Sequence, residues 1–275
     1  MEYVLINQSI LPKEEAYINI NDRGYHFGDG IYEVIRIYEQ KPFALDLHLS
    51  RLASSAEKLD LPLPYSIEEL KVLLLSLVEK NTITNGTIYF QVTRGIAPRN
   101  HLYSRETEST LTAFTQVFAS DKQLEDGIHV WLTPDIRWLR CDIKTINLLG
   151  NVLAKREAAD NQCHEAIMHR DRILTEGSSS NLFLVKDHVL YTHPATNLIL
   201  NGITRQIVIQ LALNEGIDVI EEPFPFDVLE HADEAFITST SMEITPINQV
   251  KGELTTTIPL GPVTKRLRDL FKNQL

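Results

Sequence analysis

The spacing of apolar positions changes period repeatedly along the chain. Short apolar runs at residues 3–6 and 18–20 read as strands. Residues 31–38 alternate, with Tyr32, Val34 and Arg36 on one face and Ile31, Glu33, Ile35 and Ile37 on the other. Leu49, Leu52, Ala56 and Leu59 recur at helical spacing, with Asp46 placed to cap that helix and Arg51 on its polar boundary. Ser66-Ile-Glu-Glu69 is a capping box, and Leu70, Leu73, Leu74 and Val78 continue the helix it opens. Asn85-Gly86 marks a turn into residues 87–93, where Ile88, Phe90 and Val92 alternate with Tyr89, Gln91 and Thr93. Residues 111–118 form a further strand.

The second half repeats the mixture. Residues 128–132 read as a strand, and Leu148, Leu149, Val152 and Leu153 share one face of a helix running to about Asn161. Residues 166–169 and 173–175 predict a tight hairpin, and residues 182–185 and 189–191 another. Asn201-Gly-Ile-Thr-Arg205 precedes a helix carrying Ile207, Val208, Leu211 and Ala212, ending near Gly216. A strand at residues 235–237 leads to the hydroxyl run Thr238-Ser-Thr-Ser241, and Gly261-Pro262 opens a last helix with Val263, Leu267, Leu270 and Phe271 on its apolar side. The pattern predicts an α/β (α+β) chain. The polar, aperiodic stretch 119–127 marks a boundary, giving a smaller domain at 1–119, a linker at 120–126 and a larger domain at 127–275.

Composition narrows the function classes. Apolar residues make up 43% and charged residues 23% of the 275, an ordinary soluble mix. The formal net charge of −11 argues against non-specific nucleic-acid binding, while leaving room for a small anion held by local arginines. No apolar run is long enough to span a membrane, and the N-terminus lacks the basic and apolar regions of a signal peptide. The two cysteines, Cys141 and Cys163, have no metal-ligand spacing and read as reduced thiols of a cytoplasmic protein.

Four features carry candidate chemistry. Lys144 lies between Ile143 and Ile146, with Arg137 and Arg140 close in sequence. Burial and nearby cations favour a neutral amine, which forms Schiff bases with aldehydes. Read alone, the same lysine is an exposed residue at a helix start. Arg99 and His101 stand two apart in a loop stiffened by Pro98, a spacing that suits a carboxylate if the loop is extended. Thr175-Glu-Gly-Ser-Ser-Ser-Asn181 combines hydroxyls with one acid, and the amides at 203–205 offer an anion site at a helix start. Asn21-Asp-Arg-Gly-Tyr-His-Phe-Gly-Asp-Gly30 holds three glycines, but not in the order or setting of a dinucleotide fingerprint.

Pyridoxal 5′-phosphate needs a lysine for its aldehyde, a carboxylate for its ring nitrogen and an anion site for its phosphate. The chain resembles the fold type IV pyridoxal-phosphate enzymes, and within them the bacterial D-amino acid aminotransferases. The resemblance runs through Asp22-Arg-Gly-Tyr-His-Phe-Gly-Asp-Gly-Ile-Tyr-Glu33, Tyr89-Phe-Gln-Val-Thr-Arg-Gly95, Pro98-Arg-Asn-His101, Asp135-Ile-Arg-Trp-Leu-Arg-Cys-Asp-Ile-Lys144, Asn147-Leu-Leu-Gly150, Thr175-Glu-Gly-Ser-Ser-Ser-Asn181 and Gly202-Ile-Thr-Arg205. Thr145-Ile146 and Asn151 depart mildly from the family pattern without removing a functional group.

The resemblance implies two α/β domains with the cofactor between them. It implies that Lys144 carries the Schiff base and then acts as acid and base. Glu176 would pair with the pyridine nitrogen, and Arg51, Ile203, Thr204 and Thr240 would hold the phosphate. Tyr32, Arg99 and His101 would trap the substrate carboxylate, the Arg/His loop coming from the partner of a homodimer. Ser179 and Leu200 would support the ring, and no metal is called for. The implied activity is transfer of an amino group from a D-amino acid such as D-alanine to a 2-oxo acid such as 2-oxoglutarate, in a ping-pong cycle. An L-branched-chain aminotransferase, an aminodeoxychorismate lyase-like enzyme or a scaffold that binds the cofactor without turnover are the competing readings.

Overall fold

The computed structural model describes residues 1–118 and 126–275, so all but the last residue of the expected linker at 120–126 lies outside the described residues. The chain divides into two compact units. One comprises residues 1–120 with the short segment 143–147, the other residues 121–142 with 148–275.

The first unit is built on an antiparallel sheet in the order β2-β1-β6-β5-β3-β4. Its elements are β1 (Tyr3–Ile6), β2 (Ser9–Pro12), the short helix α1 (Arg23–Phe27), β3 (Gly30–Tyr38), β4 (Lys41–Pro42), α2 (Leu45–Lys58), α3 (Ile67–Lys80), β5 (Gly86–Thr93) and β6 (Thr110–Val117). β3 and β5 pair from Gly30↔Thr93 to Ile37↔Gly86, and the side chains of Ile31, Ile35, Phe90 and Val92 are fully buried. Leu49 and Leu52 of α2 and Leu70 and Leu74 of α3 complete this core. Burying each such side chain contributes about 1.5–3 kcal/mol before conformational entropy is set against it. Ser66 caps α3, accepting from the Glu69 N–H, while Glu69 reaches back to the Ser66 N–H at 2.9 Å, as the capping box predicts.

Three local expectations fail in this unit. Residues 18–20 form no strand, and Ile18 and Ile20 are exposed; Ser9–Pro12 is the strand that pairs with β1 instead. The glycine loop at 21–30 contains α1, with Asp22 accepting from the Gly24 N–H and Gly28 (φ +64°) closing it in the left-handed region that glycine tolerates. Asp46 lies inside the first turn of α2 rather than at its cap, which is Ala44.

The segment 143–147 packs on this unit, although sequence had placed Lys144 with the larger second half. The Tyr32 N–H donates to the Lys144 carbonyl (2.9 Å), and the Ile146 N–H to the Gly30 carbonyl (3.0 Å). Ile143 joins the first core.

The second unit carries a mixed sheet, β12-β11-β10-β13-β14-β7-β8-β9, with β15 pairing β14. Its elements are β7 (Ile128–Pro134), α4 (Leu149–Asp160), β8 (Glu165–Arg170), β9 (Ile173–Gly177), β10 (Asn181–Lys186), β11 (Val189–Thr192), α5 (Ile203–Asn214), β12 (Val219–Glu221), β13 (Glu234–Ser239), β14 (Glu243–Gly252), β15 (Thr256–Thr257) and α6 (Pro262–Lys272). β7 runs parallel to both β8 and β14. Both predicted hairpins turn on two residues with positive φ, Asp171-Arg172 and Asp187-His188, the geometry whose twist matches paired strands.

The buried residues of α4 are Ala154 and Ala158, whose small side chains lie in a cluster with Cys163, Ala166 and Met168. Leu149, Val152 and Leu153 of the apolar stripe are 69%, 57% and 50% exposed. Among the described residues no helix is long and apolar enough to cross a membrane.

Removing the α3 cap tests the first unit. Ser66→Ala should lower stability by about 1 kcal/mol, read as a lower urea midpoint with an unchanged slope.

Candidate active site

In the first unit the site residues gather around β3. The Lys144 Nζ lies 4.1 Å from the Tyr32 ring centroid, and its backbone N–H donates to Ser55 Oγ (3.3 Å) on α2. Tyr32 stacks on Tyr89, which stacks in turn on Phe114. Strand alternation sends the next residue, Glu33, to the opposite face and onto α2. There Arg51 grips it side-on, with Nε to Oε1 and Nη2 to Oε2 both at 2.7 Å. His48, one turn before Arg51, places Nδ1 2.7 Å from Oε2.

The Glu33 side chain is fully buried. Burial alone would push its pKa up, but the Arg51 charge and hydrogen bonds, followed by those of His48, outweigh it and hold the carboxyl at about 2, against an ordinary 4.5. Burial pushes His48 down, Glu33 acts against that, and the Arg51 and Lys144 charges add to the lowering. An ionised Glu33 only accepts, so a neutral His48 must carry its proton on Nδ1.

Arg99 and His101 lie in the loop after β5. The Arg99 guanidinium sits 5.3 Å from the Phe27 ring centroid, and the His101 ring 5.5 Å from it. Arg23 holds the loop from below, donating from Nη1 to the Asn100 carbonyl (2.5 Å) and from Nε to Asp29 (2.8 Å). The pair thus packs on α1, while Tyr32 packs with Lys144 and Tyr89.

The second unit builds its part around Glu176, at the end of β9. Oε1 accepts from Arg137 Nη1 (2.6 Å), and Oε2 from Asn181 Nδ2 (2.9 Å) and the Leu200 N–H (3.1 Å). Burial pushes the Glu176 pKa up, against the lowering effects of Arg137 and the Leu200 amide. Every one of these partners donates, which is the environment of an ionised carboxylate. Arg137 is anchored in turn by Asp135, which also accepts from Arg170 (3.1 Å) and Thr175 Oγ1 (3.0 Å). The Arg137 and Arg170 charges balance Asp135 and Glu176.

Asn181 couples this acid to α5. Its amide donates to the Leu200 carbonyl as well (2.8 Å), and a Cβ at Gly202 would lie 2.1 Å from its Oδ1. Only glycine fits there, at the N-cap of α5, where no side chain caps the helix. Ile203 and Thr204 are buried in the first turn. Thr240 follows β13, whose Thr238 pairs with Asn181. Ser179 Oγ donates to the buried Glu165 (2.9 Å), which also takes Ser178, Ser180 and the Ala166 N–H.

Sequence reasoning set Arg137 and Arg140 beside Lys144 only by their closeness in sequence. In the structure Arg137 pairs with Asp135 and Glu176, and Arg140 with Asp142. Leu200 meets Glu176 through its backbone N–H. Glu33, His48 and Asn181 went unassigned; the available signal was an acid in an otherwise apolar strand face. Cys141 and Cys163 are free and buried, and burial pushes the Cys141 thiol up to about 11 and Cys163 up as well.

The profile of the amino-transferase class IV family matches residues 30–250. A D-alanine aminotransferase of Listeria monocytogenes serotype 4b is 47% identical over 276 residues, covering 99% of this chain and 96% of its own. The branched-chain amino acid aminotransferase of Escherichia coli shares 28% identity with a TM-score of 0.91, over 99% of this chain and 94% of that one. A T.th. branched-chain amino acid aminotransferase, complexed with N-(5′-phosphopyridoxyl)-L-glutamate, gives 27% identity and a TM-score of 0.88 over 99% and 93%. The chain belongs to the amino-transferase class IV family.

The cofactor is pyridoxal 5′-phosphate, and the residues present fit it. A carboxylate has about four acceptor positions, and the three donors on Glu176 leave one for a pyridinium N–H. The uncapped first turn of α5 supplies backbone donors suited to a phosphate.

The Glu33 pair sets an acid dependence. Its folded pKa lies below the unfolded value, so its contribution is fully present above about pH 4.5 and is lost as pH falls toward 2. The lowering from 4.5 to about 2 corresponds to something on the order of 3 kcal/mol. The stability gap between wild type and Glu33→Gln should be widest above pH 5 and should close between pH 4.5 and 2 in urea titrations.

Proposed function

We propose that this protein is a D-amino acid transaminase that moves an amino group from a donor such as D-alanine to a 2-oxo acid such as 2-oxoglutarate, alternating between two cofactor forms. The observation that carries the reading is the 47% identity to a D-alanine aminotransferase over 99% of the chain. The likeness to branched-chain enzymes is strong in fold but weaker in sequence, at 28% identity.

The bound cofactor supplies an aldehyde and an electron-withdrawing ring that stabilises negative charge at the substrate Cα. Lys144 Nζ would hold the cofactor through its aldehyde and, once displaced by substrate, would take the proton from the substrate Cα and deliver it to the cofactor C4′. Glu176, held by Arg137 and Asn181, keeps a proton on the ring nitrogen. Arg51, Ile203, Thr204 and Thr240 hold the phosphate, the middle two through backbone amides, and Ser179 and Leu200 support the ring. Tyr32, Arg99 and His101 fix the substrate carboxylate. Because a lysine acts from one face, the side on which that carboxylate is anchored selects the hand of the amino acid.

The protein works as a cytoplasmic homodimer in which Arg99 and His101 serve the partner's site. Support comes from large apolar residues left uncovered on each unit: Tyr17, Tyr25 and Leu102 on the first, Leu139, Leu149 and Val152 on the second. We take the domains as 1–119 and 127–275; the compact units 1–120 with 143–147 and 121–142 with 148–275 support that division apart from the lysine segment, which belongs to the first unit.

Purified protein is titrated with D-alanine, L-alanine and L-leucine without acceptor, following the absorbance of the bound cofactor. A change with D-alanine alone is expected. A change with L-leucine alone would transfer the protein to the branched-chain group, and pyruvate released from an aminodeoxychorismate without any acceptor, in many turnovers per cofactor, would make it a lyase. Borohydride should fix the cofactor to wild type but not to Lys144→Ala. Arg99→Ala should reduce kcat/KM for D-alanine by about ten- to a hundredfold, mainly through KM, and an unchanged value removes Arg99 from the carboxylate site.

A further inference from the structure

The Glu33–His48–Arg51 cluster deepens the reading above and rests on it. An arginine that meets a phosphate must present its planar fork in one orientation. A long, flexible side chain loses conformational entropy in doing so unless it is already held. Glu33 does this in the first unit. The side-on pair uses Nε and Nη2 of Arg51, one on each Glu33 oxygen. His48 fixes the carboxylate from a second direction, through Oε2. The Glu33 and His48 side chains are 0% and 2% exposed, and that of Arg51 12%, so water screens the pair poorly.

We infer that Glu33 is a positioning residue for the cofactor phosphate, acting through Arg51 and braced by His48. It touches neither cofactor nor substrate. Its two hydrogen bonds set the plane of the guanidinium before the phosphate arrives, and they compensate its charge in the cofactor-free protein. The same helix, α2, carries Ser55, whose hydroxyl accepts the Lys144 N–H. Phosphate anchor and cofactor lysine are therefore referred to one rigid element.

The test separates phosphate positioning from general support. Binding of pyridoxal 5′-phosphate and of pyridoxal, which lacks the phosphate, is measured by equilibrium absorbance for wild type, Glu33→Gln and Glu33→Asp. Glu33→Gln removes the charge. Glu33→Asp keeps it, shortens the reach and is the variant to rely on if the first folds poorly. Glu33→Gln should raise the Kd for pyridoxal phosphate by at least about tenfold while changing that for pyridoxal less than about twofold. Glu33→Asp should show the same pattern at about three- to tenfold. In an Arg51→Gln background, Glu33→Gln should add nothing to the loss for pyridoxal phosphate. Equal losses for the two compounds, or none for either, overturn the inference. Wild type that binds no pyridoxal phosphate overturns the proposed function along with it.

Discussion

A carboxylate taken out of water loses solvation worth several kcal/mol, and only donors brought to it by the fold can replace that loss. Glu33, Glu165, Glu176 and Glu234 are all taken out of it, with 0–4% of their surfaces exposed. Around three of them the donors come from loops and a helix start. The Leu200 N–H and the Asn181 amide turn toward Glu176. Three consecutive serines, 178 to 180, wrap Glu165. The Val263 and Thr264 amides at the start of α6 close on Glu234, at 3.0 and 2.7 Å. These buried acids act as organising centres for loops that a purely apolar core would leave undirected.

Charge balance then decides what each centre can do. Glu33 is matched by Arg51 with a neutral histidine beside them, so the cluster carries no net charge and stays ionised internally. Glu176 and Asp135 face Arg137 and Arg170, again a neutral set. A neutral buried network keeps its members in defined positions without demanding a counter-ion, the arrangement that makes fixed dipoles effective in catalysis. The resulting rigidity explains why Gly202 cannot carry a side chain. The Asn181 amide beside it is held by both Glu176 and Leu200 and has nowhere to retreat.

Elements whose cause is local were legible in the sequence. The capping box of α3, the alternation of β5 and the two-residue hairpins each depend on residues within a few positions, and each is found where the pattern put it. Elements whose cause is distant were not. Ile18 and Ile20 have the apolar spacing of a strand but no neighbouring strand to pair with. The apolar stripe of α4 points outward because two alanines sit against the sheet in its place. Lys144 alone was ambiguous, and only the order of several motifs gave it meaning. Glu33, His48 and Arg51 are separated by up to 18 positions and belong to different elements, so nothing short of the β3–α2 packing could bring them together.

The placement of sulfur has a further consequence. The chain's two cysteines both belong to the second unit, buried and with raised pKa, and the first unit holds none. A thiol reagent therefore finds almost no thiolate in the native state and must wait for that unit to open. The rate of alkylation becomes a clock for opening of the second unit alone, built into the natural sequence without any label.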